Sequence, residues 1–503
     1  KYGKKRKKDP DEGNKIVTFQ KENVNFKKDK AKSITHELGT KDITSVEVKD
    51  LKGKKVRGKL FIVSKDKITY ELKKDIKNAT VVVTAKKKKI IDFKKIMELT
   101  IRAAMGVRKV SLNYSESNGT VLPGYLPNTE YIGQDWDLNA PGLDFLLGYQ
   151  PGHLLLLGNK PDAQIKTDRE TWLHNFAENG WITSSPNQYN SYTQSNSQNL
   201  SLKATVEPLP GLRVDVTANR NETHNFREVF RDSTGFGDWS HESPMETGNF
   251  SISFFSLGTA FGIDDKDHVS KSFTEFANNR AIVSDQLAEE YVKRNPLISD
   301  PSQVYGFGNT SQEVLIPAFI GAYGGNSSAS VLFDPFIKTP MPNWRVTYDG
   351  LSNIPSIKKY FKKVTIGHGY RSTFSVSSFT TNLNYEGEVG DNGMGFTEAR
   401  DANGNYMSKY EIGQISIAEQ LSPLIKVDVT WQNNMMTRVE IKKTRNITMS
   451  FSNNQLTEVR GNEVVVGAGY RFKEVELPFK IGRKRTQLKS DLNVKADFSM
   501  RSN

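Results

Sequence analysis

No cysteine occurs among the 503 residues, which excludes disulfide frameworks, thiolate metal sites and cysteine nucleophiles. The absence suits an envelope protein that passes an oxidising compartment, though it does not separate one from a cytosolic protein. Long hydrophobic runs are missing too. Nothing approaches the roughly 18 consecutive apolar residues of a membrane helix, the longest greasy string being Leu154 to Leu157. Any integral membrane role would therefore fall to strands. With 36% hydrophobic residues, 10% aromatics and a mean hydropathy of -0.56, the composition fits a soluble β-sandwich or a membrane barrel.

Catalytic signatures are equally scarce. Of the seven histidines (His36, His153, His174, His224, His241, His268 and His368), no two stand at metal-ligand spacing or beside a carboxylate in a zincin pattern. There is no Walker A loop, nucleophile elbow or dinucleotide fingerprint. The expectation is a protein with no enzymatic site, metal or cofactor. Asp401, Asn403 and Asn405 alternate around Gly404 like the start of a calcium loop, but the glycine is misplaced and no glutamate follows. The Asn403-Gly404 pair reads instead as a hairpin turn.

Charge is unevenly placed. Residues 1–100 hold 30 Lys+Arg against 14 Asp+Glu, a net of +16, so a total of +13 leaves -3 for the other 403 residues. Within residues 1–95, lysine runs alternate with short β-like pieces at Ile43 to Val48, Lys59 to Val63, Lys67 to Leu72 and Thr80 to Thr84. The lysines are interleaved with acids, arginine is scarce, and no helix or aromatic platform accompanies them. That argues against nucleic acid. A solvated small β unit is expected, with contact to an acidic partner or lipid head groups as the alternative. Lys1 to Lys8 is basic with no apolar segment behind it, so no signal peptide is read there.

Alternation is what the chain has in abundance. From about Ala402 to Ser499, apolar residues fall at every second position: Val427, Val429 and Trp431; Val439 and Ile441; Ile447, Met449 and Phe451; Val464, Val466, Ala468, Tyr470 and Phe472; Leu492, Val494, Ala496 and Phe498. A period of two places each set on one sheet face, and the short connections require antiparallel neighbours. Earlier strands are expected at Asn199 to Val206, Leu212 to Ala218, Phe250 to Phe254, Trp344 to Tyr348 and Val364 to Tyr370. Residues 112–197 form a long stretch whose Trp136, Trp172, Trp181, Tyr189 and Tyr192 are expected to pack on one another. Ser272 to Tyr291 switches to helical spacing, with Phe273, Phe276, Ala277, Ala281, Leu287 and Ala288 on one face and Ser272 and Glu275 at capping-box spacing. Residues 300–342 read as a Gly/Pro/Ser-rich loop.

Several strings resemble, in order, the C-terminal part of the SprA/Sov family, the gliding-motility and type IX secretion outer-membrane translocon. The most specific are "GHGYRSTFSVSSFTTNLNY" (Gly367 to Tyr385), "ISIAEQLSPLIKVDVTW" (Ile415 to Trp431) and "RNITMSFSNNQLTEVRGNEVVVGAGYRF" (Arg445 to Phe472). Others are "NYSESNGTVLPGYLP" (Asn113 to Pro127) and "MPNWRVTYDGLSNIP" (Met341 to Pro355). The resemblance implies a share of an antiparallel transmembrane β-barrel of about 36 strands in the cell outer membrane, passing folded cargo from periplasm to surface. It also implies partners: cargo proteins with a C-terminal secretion signal, a smaller outer-membrane barrel shuttle protein, a periplasmic plug protein and the lipid bilayer. Roughly fifteen candidate strands are too few for such a ring, and Arg501 to Asn503 stop before the family's final strands, so an internal piece of a longer protein is expected.

The expected organisation is all-β. Residues 1–95 form the lysine-rich segment, 96–198 a barrel strand with its long loop, and 199–503 the antiparallel barrel strands. Helix 272–291 and loop 300–342 are expected to cap or gate the pore or to bind a partner. Val429, Met449 and Val466 are expected to face lipid, and Phe319 and Tyr323 to contact cargo or a partner. A surface-exposed all-β adhesion or binding protein is the alternative, and an uptake receptor would need a plug and coupling segment that the sequence does not display.

Overall fold

The computed structural model describes residues 14–38, 40, 42–88, 106–151, 162–262, 270–294, 300–324, 334–385, 399–481 and 484–502. Lys1 to Lys8, His153, Leu154 to Leu157 and His268 lie outside them, as does 325–333 of the expected loop. The chain divides into two compact units, Lys1–Ile101 and Arg102–Asn503.

The first unit is built from β1 (Asn14–Phe26), β2 (Ala31–Thr35), β3 (Ile43–Lys49), β4 (Lys55–Val56), β5 (Gly58–Ile62), β6 (Lys67–Leu72) and β7 (Ile76–Lys88). They form two antiparallel sheets, ordered β1-β7-β3-β4 and β2-β6-β5. Alternate residues of both sheets, among them Val24, Phe26, Ile34, Val48, Ile68, Leu72, Val81 and Val83, meet in one apolar cluster. The chain crosses from the first sheet to the second at Gly58, where a Cβ would lie 2.3 Å from the Glu71 carbonyl and 2.6 Å from the Tyr70 ring. The four expected pieces are strands. β1 and β2 were not anticipated, because Lys and Asn interrupt their apolar positions.

The second unit is dominated by one ten-stranded antiparallel sheet: β8 (Val107–Val121), β9 (Tyr192–Leu209), β10 (Leu212–Asp232), β11 (Trp239–Ser253), β12 (Asn343–Tyr348), β13 (Phe361–Thr381), β14 (Tyr410–Trp431), β15 (Met435–Ser450), β16 (Gln455–Ile481) and β17 (Lys484–Ser502). Several strands exceed 20 residues, about twice the upper end of the usual range. The order follows the sequence with one exception. β11 pairs with the C-terminal part of β10 and β12 with its N-terminal part, and both also pair with β13, so the two occupy one lane. Residues 254–342 leave this lane and return to it. Among the described residues β8 and β17 do not pair with each other, so these strands form an open sheet, not a closed ring. Connections 210–211, 349–360 and 432–434 lie at one end of the sheet. The longer 122–191 and 382–409 start from the other, with turns 233–238 and 451–454, while 254–342 starts from within the shared lane.

Among the described residues the long connections carry three helices of more than ten residues, α1 (Asp162–Glu178), α2 (Lys271–Arg294) and α3 (Gln312–Gly324), and a single turn at Leu143–Leu146. α2 is the expected helix, capped by Ser270, whose Oγ accepts the Phe273 amide at 3.0 Å, in place of Ser272. Its buried stripe is Phe276, Asn279, Val283, Leu287 and Tyr291, while Phe273 is exposed. α1 and α3 correct the sequence reading, which treated both stretches as loop. α3 is buried from Val314 to Tyr323, and a helix apolar on every side gives no amphipathic period to detect.

Close approach of strands makes one glycine testable. A Cβ on Gly248 of β11 would lie 2.1 Å from the Thr223 carbonyl and 2.5 Å from the Phe379 ring. Gly248→Ala should lower stability by about 3 kcal/mol or more, seen as a lower urea midpoint by tryptophan fluorescence. Gly258→Ala, where nothing lies within 4 Å, should change it by less than about 1 kcal/mol.

Candidate functional site

The long sheet has two chemically distinct faces, and cross-strand register fixes which residue lies on which. One row can be followed from strand to strand: Tyr348 opposite Ile366, Ile366 opposite Val427, Val427 opposite Val439, Val439 opposite Val466, and Val466 opposite Phe498. Toward the other edge, Val110 stands opposite Ala204, Ala204 opposite Val216, and Val216 opposite Trp344. Together with Leu112, Leu202, Ile425, Ile441, Val464, Tyr470, Phe472, Leu492, Val494 and Met500, these side chains make a belt across the whole sheet, and much of it is exposed. Aromatic rings mark both margins. Phe361 and Trp431 lie 4.7 Å apart, and Tyr470 and Phe472 4.8 Å apart, at the short-turn margin. Trp344, Tyr370 and Phe255 cluster at the other.

The opposite face is mainly polar, with Val459 and Val465 among its apolar exceptions. Lys426 and Arg438 flank Asp428 at 2.8 and 2.9 Å, Lys442 pairs with Glu463 at 3.3 Å, and Arg471 pairs with Asp491. The Thr205 hydroxyl donates to Asp215 at 2.6 Å. This face also carries Ser201, Asn219, Asn221, Arg371 and Thr373.

Toward the long-connection end, the belt face is covered by the chain's own helices. α1 brings Leu173 and Phe176 onto Tyr192, Phe226 and Phe230, with Trp172, Trp181 and Phe145 packed around them. α2 and α3 cover Phe250, Ile252, Phe374, Val376, Ile415, Ile417, Ile447 and Met449. The lane break that releases α2 and α3 is closed by hydrogen bonds. Ser253 Oγ accepts from the Asn219 amide at 2.9 Å and from Asn343 Nδ2 at 3.1 Å, and the Ser372 amide donates to Asn343 Oδ1 at 2.8 Å.

Between the bare belt and the helix-covered region lies a buried charged latch. Arg445 of β15 pairs with Glu419 of β14 at 3.1 Å, and both are buried. Arg445 also donates at 2.7 Å to the backbone oxygen and to the hydroxyl of Thr259. Glu419 accepts from Ser256 Oγ at 2.8 Å and from the Tyr370 hydroxyl at 3.1 Å. The first residues of the 254–342 excursion are thus held by side chains from three neighbouring strands.

The expected site residues fall into three situations. Val466 is 50% exposed in the belt, and Val429 lies on the same face in the neighbouring row, half-buried. Met449 shares their face but is only 1% exposed, because α3 covers that end of β15; as a bare apolar position it is corrected. Phe319 and Tyr323, expected as cargo or partner contacts, are corrected as well. Both are buried on α3 and offer no surface. The helical excursion, expected to cap or gate a pore or to bind a partner, packs on the belt face at its long-connection end.

The described histidines make local contacts. His241 Nδ1 lies 2.9 Å from Glu228 and its Nε2 3.4 Å from His174 Nε2, joining α1 to β11. His368 Nδ1 donates to the Leu424 carbonyl at 2.7 Å. Asp401 accepts the amides of Asn403 and Asn405, both at 2.8 Å, in a turn around Gly404. Among the described residues no group of three or more His, Asp or Glu is placed to hold a metal. Of the loop aromatics, Tyr192 and Trp172 pack inward, while Trp136 and Tyr189 are exposed.

Two carboxyls at the covered end are displaced from their ordinary ranges. Glu246 is desolvated, which alone would raise its carboxyl. The His224 hydrogen bond and charge, with Lys409 and the Tyr410 hydroxyl, outweigh that and hold it well below the usual range. Glu313 at the start of α3 keeps some exposed surface, yet the surrounding protein pushes its carboxyl up, with a Ser408 hydrogen bond as partial offset. No protein-family model matches the chain, and no curated protein matches it significantly.

Two outcomes test the covered end. Glu419→Ala takes the 3.1 Å partner from buried Arg445 and leaves it only Glu458 at 3.9 Å; it should cost about 3 kcal/mol, whereas Glu419→Gln with Arg445→Met should recover most of that loss, measured as denaturant midpoints. Glu313 has its folded pKa raised, so its ionisation above the unfolded value of 4.5 opposes folding. Glu313→Gln should match the parent near pH 4 and melt at a higher temperature at pH 7.

Proposed function

We propose that the second unit is an arc of an outer-membrane protein-conducting barrel of the SprA/Sov kind, passing folded cargo across the membrane in type IX secretion and gliding motility. The observation that carries this reading is the uncovered apolar belt. On β16 and β17 it runs for about nine residues, the length a tilted strand needs to cross a hydrocarbon core. Aromatic margins and a polar opposite face are further features of such barrels. No helix among the described residues is long and apolar enough to cross a membrane, so spanning would belong to these strands.

On this reading the belt meets lipid and the polar face lines an aqueous passage. The unpaired outer edges of β8 and β17 would be joined by further strands, since an unpaired edge in hydrocarbon leaves its amides and carbonyls unsatisfied. Transport would need no cofactor from this chain. Cargo with a C-terminal secretion signal, a smaller barrel shuttle and a periplasmic plug are the partners that the family resemblance suggests.

The competing reading is a surface all-β adhesion or binding protein. It would require a second layer over the belt, as in a sandwich, and among the described residues of this unit the helices cover only the long-connection end. Paired substitutions separate the two readings. Val466→Lys, at mid-belt, should cost about 2–4 kcal/mol of membrane stability and reduce the heat-modifiable, protease-resistant form assembled in lipid vesicles. Asn446→Lys, on the polar face, should assemble like the parent. Equal assembly of both would remove the lipid-facing assignment.

A further inference from the structure

We infer that the first unit docks on an anionic lipid surface through β5 and the turn that follows it. β5 is an edge strand, paired on one side with β6 and unpaired on the other among the described residues. Its apolar string continues into the turn and stays uncovered: Leu60 is 36% exposed, Phe61 51%, Ile62 45% and Val63 56%. Soluble sheet edges are normally blunted by charge, proline or bulges, and four consecutive exposed apolar residues are avoided unless they serve a contact.

The surrounding charge points to the occupant. Between Leu51 and Lys67 there are seven Lys or Arg against one acid, Asp66. Register places Lys59 and Phe61 on the outer face of the small sheet, opposite Glu71 and Thr69. Leu60 and Ile62 share the inner face with Tyr70 and Ile68 but overhang the core at its rim. Cations therefore frame the apolar string without interrupting it. Such an arrangement inserts shallow apolar side chains at the acyl boundary while ammonium groups meet head-group phosphates. A nucleic acid would call for a stacking platform, and Phe61 is the one aromatic ring in that stretch. This assigns a role to the basic first hundred residues, which the barrel reading leaves unused, and it stands independently of that reading.

The absence of cysteine makes the test direct. Val63→Cys, labelled with an environment-sensitive fluorophore on the full chain, is reconstituted in phosphatidylcholine vesicles with or without phosphatidylglycerol. The expected result is a blue-shifted emission, quenched by brominated lipid, only in the anionic vesicles and reversed by high salt. Adding Phe61→Ser should abolish the shift, and each of Lys59→Gln, Lys65→Gln and Lys67→Gln should weaken it roughly fivefold. These positions are exposed, so the fold is retained, as a parental far-UV spectrum will show. Identical emission in neutral and anionic vesicles, a shift that survives Phe61→Ser, or a shift produced by polyglutamate or nucleic acid without lipid would each overturn the proposal. The probe reports on the first unit whether or not the belt inserts, so this proposal and the barrel reading fail separately.

Discussion

The second unit depends on side-chain parity surviving from strand to strand. A slip of one residue would turn a strand's apolar set to the polar face. β15 and β16 pair without a shift from Met435 to Ser450, which ties the belt and the helix-covered core to one face of the same strand. The belt's upper margin is interrupted at Ser422-Pro423, where proline can donate no hydrogen bond to a neighbour. Between Gly367/Lys426 and Arg371/Gln420, β13 advances four residues while β14 advances six. Between Leu421/Lys443 and Ile425/Ile441, β14 advances four while β15 advances two. Both gains are even, so the strand accommodates its proline without exchanging faces.

The lane shared by β11 and β12 explains how a helical excursion is inserted without breaking the sheet. β10 and β13 remain bridged along their length, first by β11 and then by β12, and the junction's polar groups are satisfied by Asn219, Ser253, Asn343 and Ser372. The departing chain is then fixed by Arg445 and Glu419. Because it emerges on the belt face, α3 adds to the sheet's apolar core and leaves the polar face open.

The strands were legible in the sequence wherever one face was apolar and the other wet. Val464 to Phe472 and Leu492 to Phe498 show this plainly, and so do Leu200 to Val206 and their return. The expected breaks were less reliable: Val439 to Ile441 and Ile447 to Phe451 belong largely to one strand, β15, with Lys443 and Arg445 interrupting its apolar face. Arg445 is buried through its pairing with a residue 26 positions away, which no local pattern contains. α1 and α3 escaped for opposite reasons, one being too polar and the other apolar all round. Burial of Met449, Phe319 and Tyr323 could not be foreseen, since alternation assigns a face but says nothing about what lies on it.

That same limit sharpens the membrane argument. The apolar face of the sheet is long enough to serve two environments, and the described residues of this unit supply cover for only one of them. Helices stop where the latch begins, and below it the side chains change from Ile447 and Met449 in protein to Ile441 and Val439 in the open. Lys443 stands at this step with its ammonium 4.5 Å from the Phe261 ring centroid. A charged row is costly in hydrocarbon and cheap at an interface, where long cations reach toward head groups and water. The order of apolar belt, aromatic margin, paired charges and covered core is therefore what a strand would present on leaving a bilayer.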